Sequence, residues 1–108
     1  MRTFVLIASL AACKPGGVSS AQEVCAKASA MFDKCEDFGS AAPLERELMV
    51  DRWRGLCRAA FTGETQQLMP NTLEVYNALD EGSRAGLKIQ AECTSKASTC
   101  LAYHACDQ

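Results

Sequence analysis

Seven cysteines stand at positions 13, 25, 35, 57, 93, 100 and 106 of a chain of 108 residues, together with a single histidine, His104. Thiols in this number can bind metal, exchange electrons or crosslink the chain. The first two suit a reducing cytosol and the third an oxidising compartment. Zinc is the sharpest alternative to crosslinking. Cys100 and His104 are four residues apart, on one face of a helix, and Cys93 and Cys106 lie close by in sequence. The paired Cys-x2-Cys spacing of structural zinc sites is missing, and with it the Cys-x-x-Cys spacing of thiol redox motifs. A disulfide framework is therefore the expected use, with no cofactor. The count is odd, so three bridges consume six cysteines and leave one over.

Little else points to catalysis. His104 lies near the chain end, and neither a Gly-x-Ser-x-Gly elbow nor a glycine-rich phosphate loop occurs. Asp33, Glu36 and Asp37 cluster, but their spacing suits a solvated edge better than an acid/base pair. Trp53 falls on a helical seam and reads as core. The chain is expected not to be an enzyme. Its 11 basic and 13 acidic residues give no general electrostatic reason to bind nucleic acid.

The elements that must position the cysteines are helical. Ser20-Ala21-Gln22-Glu23 has the form of a capping box. Val24, Ala28, Met31, Cys35 and Phe38 then recur at helical spacing, so a first helix is expected over 21–38, stopped by Gly39. Pro43 suits the first turn of a second helix, which Gly63 ends. Met49, Trp53, Leu56 and Ala60 form its expected buried seam, with Leu48, Cys57 and Phe61 alongside. Glu47, Asp51, Arg54 and Arg58 make an opposite stripe, read as a solvated face, with a partner-binding face as the alternative. Residues 64–69 are a polar connector broken by Pro70. Asn71 is expected to cap a short helix through Leu79, Asp80 to Ser83 to turn, and further helices to cover 84–93 and 100–106. No stretch alternates with a two-residue period. The expectation is one all-α domain over 20–108, a small disulfide-stapled bundle of one helical hairpin plus shorter C-terminal helices.

Geometry narrows the bridges among Cys25, Cys35, Cys57, Cys93, Cys100 and Cys106. In one unbroken helix Cys25 and Cys35 stand about 15 Å apart, whereas a disulfide needs Cα atoms within about 7 Å. Folding the hairpin about residues 40–41 sets Cys57 level with Cys25, so Cys25–Cys57 is the favoured bridge. The polar break at 94–99 suggests that Cys93 turns back to Cys100, leaving Cys35 for Cys106.

The remaining cysteine, Cys13, closes the segment Leu10-Ala11-Ala12-Cys13 after the apolar run that begins at Phe4, with Arg2 ahead of it. Residues 4–12 suit an export signal and fall well short of the roughly twenty apolar residues of a membrane span. The motif resembles the lipobox of bacterial lipoprotein precursors. That resemblance implies a signal peptide over 1–12, cleavage after Ala12 and lipid on Cys13, followed by a tether over 13–19. Lys14 in place of an aspartate then favours the outer membrane. Removal of 1–12 takes away only Arg2 and leaves 10 basic against 13 acidic residues. Two other readings stay open: secretion after cleavage at Ser19-Ser20-Ala21, and burial of 4–12 within the domain.

The body, through Cys25-x9-Cys35, Cys57 and Cys93-x6-Cys100-x5-Cys106, resembles the small cysteine-rich helical lipoproteins of predatory and social δ-proteobacteria. Its Cys25-x9-Cys35 spacing is also similar to one half of the mitochondrial twin-Cys-x9-Cys hairpins, without the second matching pair. The functional expectation is a non-enzymatic binding or structural module of the bacterial cell envelope. It is held at the membrane through lipid on Cys13 and contacts an unknown envelope or extracellular protein. An envelope metal-binding or thiol-redox protein and a secreted enzyme inhibitor are the alternatives.

Overall fold

A computed structural model of the chain describes residues 18–107. Leu10-Ala11-Ala12-Cys13, the expected signal peptide and the tether up to residue 17 lie outside the described residues. Five helices and no strand occur among the described residues: α1 (Val18–Cys35), α2 (Pro43–Thr62), α3 (Pro70–Ala78), α4 (Glu81–Ser95) and α5 (Cys100–Ala105). The domain is all-α, as its periodicity indicates, and α1 and α2 form the expected hairpin.

Helix α1 starts two residues before Ser20, so Ser20 lies inside the helix and Val18 and Ser19 belong to it and not to a tether. It ends at Cys35, three residues short of the expected limit. Asp37 explains the early stop. Its Oδ1 accepts a hydrogen bond from the Gly39 N–H at 2.9 Å, an Asx-type turn that competes with helix continuation. Gly39 adopts φ +60°, which closes the turn. Phe38 then folds back edge-on against Phe32 at 5.6 Å. On the far side of the turn, Glu45 Oε1 accepts from the Ala42 N–H at 2.8 Å, and Pro43 occupies the first helical turn. Arg46 ties α2 back to α1. Its Nε lies 2.7 Å from Asp33 Oδ1, a second guanidinium nitrogen donates to the Asp33 carbonyl at 2.6 Å, and the group sits over the Phe38 ring.

Helix α2 buries Val50, Gly55, Cys57 and Ala59. The expected seam through Met49 is a correction: Met49 and Leu48 are exposed, whereas Trp53, Leu56, Ala60 and Phe61 are half-buried. The reason is that α2 is packed on two sides. One face meets α1 and α4, and the other, at Gly55 and Ala59, receives the connector and α3. Gly63 ends α2 at φ +76°, with its N–H donating to the Ala59 carbonyl at 2.7 Å.

Helix α3 begins at Pro70 with Met69 as its N-cap, so Asn71 is helical rather than the expected cap. Proline's fixed φ suits the first helical position, and its missing N–H would be unpaired there in any case. Tyr76 is buried and donates its hydroxyl to the Ala59 carbonyl at 3.2 Å. Arg84 covers the Tyr76 ring at 4.1 Å and donates to the Tyr76 carbonyl. Asp80 caps α4 by accepting from the Ser83 N–H at 2.8 Å, so the residues read as a turn, 80–83, form a helix start instead. That hydrogen bond from the Ser83 backbone, helped by the Ser83 hydroxyl and the Arg84 charge, holds the Asp80 carboxyl below the usual aspartate range.

The core is small. Cys25, Ala28, Cys57 and Ala91 are fully buried where α1, α2 and α4 meet, with Val24, Trp53 and Phe61 against them. Alanine and cysteine let the helices approach closely but bury little apolar area, so crosslinks carry much of the burden of holding so short a domain together.

Candidate functional site

Six cysteines fall within the described residues, and all six are paired. Cys25 is bonded to Cys57 with Cα atoms 5.8 Å apart, the pair favoured from the hairpin geometry. The other two bridges are Cys35–Cys100 and Cys93–Cys106. This corrects the expected Cys93–Cys100 and Cys35–Cys106. Helix α4 runs two residues past Cys93, so the chain reverses only at residues 96–99. Helix α5 then returns beside α4, with Gln90 donating to Asp107 at 2.8 Å and Cys106 next to Cys93. On α5 Cys100 and Cys106 point about 120° apart at 100° per residue. Cys100 therefore faces α1, on the same side as Tyr103, whose hydroxyl donates to Glu36 at 2.7 Å.

The candidate zinc ligands are drawn apart by the same arrangement. The sulfur of Cys100 is bonded to Cys35, and those of Cys93 and Cys106 to each other, so none of the three is a thiolate in this form. His104 is exposed, with its ring edge-on to Tyr103 at 5.2 Å. The three clustered acids divide between unrelated tasks. Asp33 pairs with Arg46, Asp37 closes the turn, and Glu36 accepts from Tyr103. Burial, then the bond to Glu36 and its charge, raises the Tyr103 hydroxyl well above the usual tyrosine range. Trp53 stacks on Phe32 at 5.6 Å and packs against the core.

One concavity that none of these readings anticipates lies between α2 and the connector that follows it. A groove of about 310 Å³ is bordered by Leu48, Arg52, Arg58, Leu68 and Met69, with Gly55 on its floor. A smaller hollow of about 130 Å³ adjoins it and shares Gly55, Arg58 and Leu68. Gly55 lets Leu68 approach α2 closely: a β-carbon there would sit 3.1 Å from Leu68 Cδ2, and the leucine would have to shift by a few tenths of an ångström. Arg54 also borders the groove but is engaged, by Asp51 at 3.0 Å and by the Ser29 hydroxyl at 3.1 Å. Arg52 and Arg58 have no carboxylate within ion-pair distance among the described residues. Arg58 belongs to the stripe read from sequence. Arg52 was missed, and the available signal was Gly55, a glycine in mid-helix that marks close approach by another segment.

Comparison with family models, with curated proteins and with solved structures finds no match for this chain.

Proposed function

We propose that this chain is a lipid-anchored, non-enzymatic binding module of the bacterial cell envelope, with Cys13 as the lipidated residue and residues 18–108 as the stapled helical body. The reading rests chiefly on cysteine usage. Three disulfides consume all six cysteines of the body and leave Cys13, in its lipobox-like setting, as the one outside them. A small core of alanine and cysteine held by three crosslinks suits an oxidising compartment. A rigid stapled surface suits recognition, because little ordering cost falls on the bound state. Residues 13–17 supply the tether that lets the body stand off the membrane.

Intact-mass spectrometry of the mature protein, with and without reduction, tests this. The expected material begins at Cys13, carries acyl mass and gains six hydrogens on reduction. Material that begins at Gln22, after Ser19-Ser20-Ala21, or that lacks acyl chains, would remove the anchor. Several free thiols among the six body cysteines would revive the metal-binding or thiol-redox alternative.

A further inference from the structure

The groove beside α2 has an uneven charge. Of the three arginines that border it, Arg54 is neutralised by Asp51, and Arg52 and Arg58 are not paired among the described residues. The whole chain is nevertheless slightly acidic, at a formal −2. The positive rim is therefore a local feature and not an effect of overall composition. Next to it stand two apolar side chains left open to water, Leu48 at 46 % and Met69 at 54 % exposure. Gln67 and Asn71, both exposed, add amide groups that can donate to and accept from a peptide backbone.

We propose that this groove docks an extended acidic segment of a partner protein, with Arg52 and Arg58 meeting two carboxylates and Leu48 and Met69 covering an aliphatic side chain between them. The proposal rests on the binding-module reading above and supplies its surface. Arg52 and Arg58 are six residues apart on one helix, about 9 Å along the axis and about 120° apart around it, one on each side of Gly55. An extended chain covers the axial distance in about three residues at 3.3 Å each, and side chains three apart in it face opposite sides, as the two arginines do across Gly55, so the fitting pattern is two acidic residues about three apart around an aliphatic one. A small free anion fits less well. The groove is open and the arginines are partly hydrated, so a lone carboxylate would remain largely solvated there, while the aliphatic and amide borders would go unused. Guanidinium groups suit carboxylates because their planar fork can donate two parallel hydrogen bonds.

The test is fluorescence anisotropy of a short capped peptide containing Glu-Leu-Gly-Glu, titrated with the oxidised full chain. The expected result is saturable binding that weakens with salt. It should weaken about tenfold or more when Arg52→Gln and Arg58→Gln are combined, or when both peptide glutamates become glutamine. Lys34→Gln, an exposed cation on α1, should leave it unchanged. Amide chemical-shift changes on the wild-type chain should map to residues 48–58 and 64–72, a readout that does not depend on how the variants fold. No binding of the glutamate peptide, equal binding by the double variant, or shifts confined to another face would each overturn the proposal. A parallel pull-down from solubilised envelopes separates the two readings. A partner captured equally by wild type and double variant overturns the groove while the module reading stands. Failure of both to capture any partner counts against the module, and the peptide titration still decides the groove.

Discussion

Tyr103 joins the last helix to the end of the first. Its hydroxyl reaches Glu36 across 67 positions of sequence, next to the Cys35–Cys100 bridge. Because the folded state raises the Tyr103 pKa above its unfolded value of about 10, the neutral phenol is the stabilising form. Its contribution is fully present below pH 10 and is lost as pH rises from there toward the folded value. Tyr103→Phe should cost about 1 kcal/mol at neutral pH, the size of one net hydrogen bond. Urea unfolding across pH should show the gap between wild type and variant narrowing above about pH 10. A gap constant to high pH would mean that the hydroxyl contributes nothing beyond packing.

At the scale of elements, glycines separate backbone strain from propensity. Gly63 ends α2 at φ +76°, and nothing lies within 4 Å of where a β-carbon would stand, so Gly63→Ala meets only backbone cost. It should destabilise by about 1 kcal/mol. Gly86, inside α4, also faces open space but has ordinary helical backbone. Gly86→Ala should stabilise by about 0.5–1 kcal/mol through helix propensity alone. Thermal melts of the two variants should therefore move in opposite directions, and a shared direction would contradict the backbone assignment at one of them. The helix starts differ in kind: α3 relies on Pro70 and α4 on the Asp80 carboxylate.

Across the whole molecule, the three crosslinks differ in reach and access. Cys35–Cys100 closes the longest loop, 65 residues, and Cys93–Cys106 the shortest, 13. In the chain-entropy picture these correspond to about 4 and about 3 kcal/mol. Paired alanine substitution at 35 and 100 should therefore lower the unfolding free energy more than substitution at 93 and 106. Access runs in another order. Cys25 and Cys57 are fully buried, whereas Cys93 is exposed and Cys106 half-buried. Thiol attack needs access to sulfur, so graded reduction followed by alkylation and peptide mapping should open Cys93–Cys106 first and Cys25–Cys57 last. Loss of Cys25–Cys57 at the earliest step would show that the core opens before the surface bridges react.

Local pattern was enough for the helical class, for the hairpin hinged between Cys35 and Pro43, and for the Cys25–Cys57 bond that follows from folding that hairpin. Each depends on neighbours a turn apart or on one reversal flanked by Gly39 and Pro43. Three other features needed the assembled domain. Which way α5 faces, and hence its bonds to Cys35 and Cys93, depends on Tyr103 finding Glu36 and on α4 outlasting Cys93 by half a turn. The buried side of α2 depends on the connector and α3 covering Gly55 and Ala59, which moves Met49 to the surface. The groove at Arg52 and Arg58 exists only because Leu68 closes on Gly55 from outside the helix. A period of 3.6 reports which residues share a face, but the choice among faces is made by segments that arrive from elsewhere in the chain.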